Sequence, residues 1–453
     1  MNKIDIHSKL EEELQIYLPE LKDKDGNRKI SYTLERIEKL AELLGNPQDS
    51  FPIVHVTGTS GKGSTSTIIA NILTEAGYRT GLHTSPHLQV FNERCQINMS
   101  LVDIDIMYQE YQNILPTIIE VETKYHLGKP SFFEVQVILA LCCFKRLEVD
   151  IAIIEVGLGG SLDGTNIVKS IISVLTTIGL DHTEILGDTI EKIAKDKCGI
   201  IKDNQKIVCG FLQESTREIA KSIALDKKSE LFLINNDFGY SLTEKQNFYN
   251  YMFRKESDIL ELGILGEFQG HNMSCALTTI KLLDDFPCDE ESIKRALRKV
   301  RVPGRMEVVQ LKPCLVMLDG AHNPDKMSAL TKSIERNFNF NKKIIVLGMK
   351  SGKDIDGILK TLRILINSGD QIIVTEFAPV GYFVSTDSEK LISHIKSLGL
   401  IDVEVLNNKS PLDAIKLALS LAKPENLVLV TGSLYLVGQI REYWYSSESL
   451  LVS

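Results

Sequence analysis

The sequence predicts an α/β protein of two domains, each with a mostly parallel sheet flanked by helices. Three observations carry this. Short β-branched runs alternate with segments of helical period along the whole chain. Those runs are apolar almost throughout, as strands covered on both faces are. The chain's 453 residues exceed the roughly 100–200 of a single domain, and the turn signal Arg301-Val302-Pro303-Gly304-Arg305 interrupts the alternation late in the chain.

The elements follow in order. Strands are expected at residues 53–56, 151–156 and 171–177 before the break, and at 315–318, 343–348, 371–375 and 427–431 after it. Helical period marks residues 64–76, 104–123, 133–146, 189–197, 272–283 and 290–299, then 355–366, 388–398 and 412–421. The charged helix at 290–299 closes the first domain, placing the domains at 1–298 and 299–453. Residues 227–265 mix charged and aromatic residues without clear period, as in a β-hairpin insertion or an irregular segment. In parallel sheets ligands bind at the carboxyl ends of strands, so the loops there deserve the closest reading.

Charge and composition narrow the partners. A formal net charge of -9 excludes a sequence-independent nucleic-acid binder, which needs a basic face. The longest apolar run, from Phe132 to Phe144, is interrupted by Glu134 and Gln136 and falls short of the roughly 18 residues of a membrane helix. The amino-terminal stretch is charged throughout, unlike a signal peptide. Eight scattered cysteines without a C-x-x-C fit a reducing cytoplasm better than zinc or disulfides.

Five loops carry candidate chemistry. Residues 53–56 run into Thr57-Gly58-Thr59-Ser60-Gly61-Lys62-Gly63-Ser64, a glycine turn that opens a helix. Such a turn presents amides and a positive helix end to phosphate, with Lys62 able to reach the terminal groups. It departs from the strict G-x-x-x-x-G-K-[ST] pattern, because Gly63 separates Lys62 from Ser64. The plain alternative is a glycine turn with a surface lysine. Next, Thr84-Ser85-Pro86-His87 is either a metal-ligating hydroxyl or a simple turn. Glu155 ends an apolar strand before Val156-Gly157-Leu158-Gly159-Gly160. A carboxylate there needs a salt bridge or a cation, and magnesium suits it. Asp181-His182-Thr183-Glu184 follows another strand; His182 can ligate a metal, while Thr183 can simply cap a helix. Lys197, at the end of the helix that follows, reads as solvent-exposed. Finally Asp319-Gly320-Ala321-His322-Asn323-Pro324 ends the first strand of the second domain, with Asp319 able to cap a turn and Pro324 suited to a helix start. Acid and histidine at strand ends in both sheets suggest an active site between the domains.

Taken in order, these segments resemble the folylpolyglutamate synthase/dihydrofolate synthase family of the Mur ligase superfamily. The resemblance runs from Tyr32-Thr33-Leu34-Glu35-Arg36 through Phe91-Asn92-Glu93-Arg94, Phe132-Phe133-Glu134 and Gly199-Ile200-Ile201-Lys202 to Thr431-Gly432-Ser433-Leu434-Tyr435. It implies a P-loop-type ATPase domain followed by a smaller Rossmann-like domain, and ATP-dependent joining of L-glutamate to a dihydropteroate or folate carboxylate. It implies that Gly58, Thr59, Ser60, Gly61, Lys62, Gly63 and Ser64 hold ATP phosphates, and that Ser85, Glu155 and His182 hold Mg²⁺. Lys197 falls on a lysine often carbamylated in the family, able to hold a second Mg²⁺. Asn272 matches the adenine contact, Arg305 and Asp319 the second-domain ATP contacts, and His322 a histidine near the reacting phosphate, with Lys62, Lys197 and His322 as the catalytic set. The expected partners are small molecules only, without nucleic acid or membrane, for a cytoplasmic monomer. Ser60 replaces a family asparagine and Ser161 a family arginine; the latter bears on substrate preference, leaving a Mur-type ligase for another carboxylate as the alternative.

Overall fold

The computed structural model describes residues 2–18, 33–381 and 383–452; Tyr32, where the family resemblance begins, lies outside them. The chain divides into two compact units. One runs to Gly263 and takes in Gln269–Val300; the other comprises Ile264–Phe268 and Arg301–Leu451.

Eight strands form the first unit's main sheet: β1 (Ile53–Thr57), β2 (Thr80–His83), β3 (Cys95–Ile97), β4 (Ser100–Leu101), β5 (Ile151–Glu155), β6 (Ile172–Leu175), β7 (Lys206–Cys209) and β8 (Glu230–Leu233). Their order is β4-β3-β2-β5-β1-β6-β7-β8, parallel from β2 to β8, with β3 and the two-residue β4 antiparallel at one edge. Every residue of β1 and β5 is buried, which is why both read as largely apolar runs, broken in β1 by His55. β1 sits centrally between β5 and β6, in register Val56 to Glu155 and Thr57 to Leu175, so three strand ends converge where the glycine turn begins.

Helices cover both faces. The helices Glu35–Leu43, Ile104–Thr123 and Phe132–Arg146 enclose one core with Ile53, Ala152 and Ile154. Ile190–Lys197 and Glu214–Asp226 enclose another with Leu175, Ile207 and Cys209. Helix Phe132–Arg146 begins with a capping box. Ser131 Oγ accepts the Glu134 amide at 3.2 Å, and the Glu134 carboxylate accepts the Ser131 amide at 2.7 Å. The same carboxylate takes the Arg36 guanidinium in a fork, with nitrogens at 2.7 and 3.1 Å. The stretch expected as hairpin or irregular divides. Its first strand joins the main sheet as β8. The rest forms a separate antiparallel sheet of β9 (Phe238–Leu242), β10 (Phe248–Phe253) and β11 (Glu256–Glu261), ordered β11-β10-β9. Tyr251 Oη on β10 meets Thr278 Oγ1 of helix Phe268–Leu282 at 3.1 Å.

The second unit holds a six-stranded sheet: β12 (Glu307–Gln310), β13 (Leu315–Leu318), β14 (Lys342–Leu347), β15 (Gln371–Val374), β16 (Glu404–Asn407) and β17 (Asn426–Thr431). The order is β12-β13-β17-β14-β15-β16; only β12 is antiparallel, and its pairing shifts register between Val308 and Gln310. The helix expected over 355–366 stops at Leu362 and gives way to a tighter turn, Arg363–Leu365. Both units are therefore mostly parallel sheets flanked by helices, as the alternation predicts. Among the described residues no helix is long and apolar enough to cross a membrane.

Candidate active site

β1 ends at Thr57, and four residues turn the chain into the helix Lys62–Glu75. Gly61 caps it at φ 87°, a left-handed conformation glycine adopts without steric cost. A Cβ at Gly61 would also lie 2.2 Å from Asn272 Oδ1, so the asparagine rests directly on the turn. No side chain caps this helix, and its first-turn amides are available to an anion.

The turn is braced from the end of β6. Thr176 Oγ1 and Thr177 Oγ1 donate to the Ser60 carbonyl at 2.7 and 3.0 Å, and the Ser60 amide donates back to Thr177 Oγ1 at 3.1 Å. The Thr59 amide donates to the Thr177 carbonyl at 2.8 Å, and Thr59 Oγ1 bonds both backbone groups of Gly179 at 3.1 Å. Such a pre-set loop presents its amides without reorganising when a phosphate arrives.

Two ammonium groups meet inside it. Lys62 Nζ donates to the Gly58 carbonyl at 3.1 Å, and Lys197 Nζ donates to the same oxygen at 3.0 Å. Lys197, which the sequence reads as exposed, is only 3% exposed. Burial, and next the positive charge of Lys62, lower its pKa from 10.5 to about 7, against the pull of Asp196, Asp163 and Asp181.

Glu155 ends β5 and is 4% exposed. Its Oε2 accepts the Ser85 amide at 3.1 Å. A Cβ on Gly63 would lie 3.4 Å from the same oxygen, so the helix start stands beside the carboxylate. The loop carrying Ser85 is fixed by Glu93, whose carboxylate accepts the amides of Leu88, Gln89 and Val90 at 2.7–3.1 Å. A buried carboxylate next to a phosphate-type turn suits magnesium, which takes one or two protein oxygens and fills the rest with water and phosphate. Among the described residues no group of three or more His, Cys, Asp or Glu is gathered as a metal site.

The structure thus brings together Gly58 to Ser64, Ser85, Glu155, Lys197 and Asn272. His182 stands on the loop that starts at the Thr59-bound Gly179. It has φ 51° and itself occupies the cap of the short helix Thr183–Leu186, so Thr183 lies inside that helix. Its ring nitrogens lie 3.9 Å from Asp181 and 4.0 Å from Glu184.

In the second unit, Asp319 is buried at the end of β13 and accepts the Met306 and Ala321 amides at 2.9 and 2.8 Å. Burial pushes its carboxyl pKa up, opposed by the Arg305 charge. It therefore pins Arg305's loop to the strand end, the turn-capping alternative realised. His322 Nδ1 faces the Gly320 carbonyl at 2.8 Å and so carries the proton, leaving Nε2 to accept Lys326 Nζ at 3.0 Å.

Sequence reasoning passes over two buried groups. Asp163 accepts the Leu158 amide at 2.8 Å and both the amide and hydroxyl of Thr165, closing the loop after Glu155. An aspartate inside a glycine-rich turn is the signal for it. His271 donates from Nε2 to the Thr176 carbonyl at 3.0 Å, and no local pattern announces that.

Residues 56–280 match the Mur ligase middle domain, and residues 305–443 match the dihydrofolate synthetase C-terminal domain. The chain is 31% identical to a probable dihydrofolate synthetase of Schizosaccharomyces pombe, over 91% of this chain and 98% of the relative. It is also 31% identical to a dihydrofolate synthase/folylpolyglutamate synthase of Bacillus subtilis, over 90% of this chain and 94% of that protein. The structure superposes with TM-score 0.88 and 27% identity on Mycobacterium tuberculosis folylpolyglutamate synthase complexed with ADP, covering 98% of this chain and 99% of that one.

Proposed function

The chain belongs to the folylpolyglutamate synthase/dihydrofolate synthase family of ATP-dependent ligases, and from that premise we propose how its own residues join L-glutamate to a pteroate or folate carboxylate. The observation that carries the proposal is the braced glycine turn with Lys62, flanked by the buried Glu155 and by Asn272.

A carboxylate is a poor electrophile, because substitution would have to expel oxide. Transfer of the ATP γ-phosphoryl group to it gives an acyl phosphate and ADP. The glutamate amine then adds to the carbonyl carbon, loses a proton, and phosphate leaves from the tetrahedral intermediate as the amide forms. The protein's task is to position groups and stabilise charge. Turn amides from Gly58 to Ser64 cradle the phosphates, and Lys62 swings from the Gly58 carbonyl to the transferred group. Asn272 holds adenine. Magnesium held through Ser85, Glu155 and His182 would neutralise phosphate charge. Arg305, Asp319 and His322 keep the nucleotide and reacting-phosphate roles that the family resemblance implies. We place the enzyme in the cytoplasm as a monomer; its eight cysteines are all free thiols.

Product analysis tests the substrate. Glutamate-dependent ADP release with dihydropteroate, tetrahydrofolate or both is the expected result. Release with neither would transfer the reading to another carboxylate. That alternative has one observation in its favour. Ser161, at the family's arginine position, turns its hydroxyl onto the Asp196 carbonyl at 2.9 Å and offers no cation to an anionic substrate.

Lys197 adds a second test. An amine reacts with carbon dioxide only when neutral, giving a carbamate and a proton. With a pKa of about 7, the neutral form grows as pH rises through 7 and shrinks progressively below it. The carbamate would turn one of two facing cations into an anion able to hold a second magnesium. Dialysed enzyme is therefore expected to regain activity with bicarbonate above pH of about 7 and to respond progressively less as pH falls below it. Full activity with an unmodified lysine by intact mass would refute the carbamate.

A further inference from the structure

We propose that His271 is a positioning residue for the nucleotide, through which the small sheet of β9, β10 and β11 sets the phosphate-binding turn. The inference rests on the nucleotide reading of that turn and adds a component that lies outside it.

Helix Phe268–Leu282 meets the turn and its brace with consecutive residues. Asn272 lies against Gly61. His271, buried, donates from Nε2 to the Thr176 carbonyl. A carbonyl only accepts, so Nε2 carries the proton. Burial lowers the pKa of His271 from its ordinary value, which keeps the ring neutral near pH 7. Thr176 is the same residue whose hydroxyl holds the Ser60 carbonyl. The path from helix to turn is thus one ring, one residue and two hydrogen bonds long.

The contact is built rather than incidental. A Cβ at Gly210 would lie 2.4 Å from the Thr176 carbonyl oxygen and 2.6 Å from His271 Nε2, so only glycine lets the two meet. The ring is held from behind by Tyr240 of β9, edge-on at 6.4 Å between centroids and 87° between planes. Tyr240 and Tyr249 also close over Gly270, where a Cβ would meet either ring at 2.5–2.6 Å. The aromatic face of the small sheet therefore fixes the helix start, and the helix start fixes Thr176.

The test uses the full-length protein and MgADP affinity, which needs no acceptor substrate. His271→Phe keeps an aromatic ring against Tyr240 and removes the donor. It is expected to weaken MgADP roughly tenfold, the scale of one buried hydrogen bond. His271→Gln restores a donor and should bind within about threefold of wild type. Asp103→Ala removes the cap of the separate helix Ile104–Thr123, where its carboxylate accepts the Asp105 amide at 2.9 Å; as a structural control it should lower Tm and leave MgADP affinity unchanged. If His271→Phe does not fold, Gly210→Ala interrupts the same contact and is expected to show the same loss. Wild-type affinity in the His271→Phe or Gly210→Ala protein would overturn the proposal. So would a loss in Asp103→Ala that matches theirs for the same drop in Tm. Failure of the wild type to bind MgADP would instead overturn the nucleotide reading, and this inference with it.

Discussion

Lys62→Ala should lower kcat for glutamate-dependent ADP release by about 10²–10³-fold or more, the cost of deleting one pre-set charge-stabilising donor. The reason lies in where the ammonium sits. It stands at the first residue of an uncapped helix, 3.1 Å from the carbonyl of the turn that begins four residues earlier. Phosphoryl transfer spreads negative charge over the transferred oxygens, and a cation on the cradle counters it as it moves. The fold should survive. Lys62 is half-buried and its ammonium donates to the Gly58 carbonyl of its own turn, while the brace from Thr176 and Thr177 is untouched. Circular dichroism and Tm near wild type, with turnover lost, are the expected pair. An unchanged rate would remove the phosphate role from this turn.

Glu134→Ala should destabilise the first unit by about 3–5 kcal/mol, the range for removing one partner of a buried ion pair. Glu134 is 5% exposed and the Arg36 side chain 14%. Truncation leaves that guanidinium largely buried without its counter-charge. It also deletes the carboxylate half of the capping box on Ser131. Glu134→Gln preserves the shape and one acceptor and should lose less. Urea unfolding separates the cases: a lower midpoint at unchanged m-value is expected for both, larger for alanine. Equal midpoints for wild type and alanine would show that the pair contributes nothing.

How much of this the sequence discloses depends on length scale. The central strands β1, β5, β13, β14 and β17 are legible because burial on both faces makes them largely apolar runs. β2 is not, because only Leu82 of its residues Thr80–His83 is a large apolar one, and Gly81 leaves room for the Phe144 ring, 3.0 Å from where a Cβ would lie. Edge elements such as β16, with exposed Glu404 and Asn407, lack the apolar signal altogether. In the site, the glycine turn and Glu155 announce themselves through local pattern. Lys197 does not: its helix has charged residues at 191, 192, 195 and 196, and only the fold turns this one amine inward to Gly58. Asn272 is reached through resemblance, and His271 through neither route. Its partner Thr176 is 95 residues away, and the glycine that makes room for them is a third segment. Contacts made of three distant pieces leave no periodicity to read.

The ends of the two sheets carry one more consequence. A parallel sheet whose last strand is long and straight invites another chain to continue its ladder, the usual beginning of aggregation. Here one such end is the two-residue β4, and another is β12, whose pairing slips between Val308 and Gln310. The remaining two, β8 and β16, are four residues each, and β16 carries an exposed glutamate. None of these four boundary strands exceeds four residues, too short to template a stable partner, so strand-mediated self-association through the two main sheets is not expected.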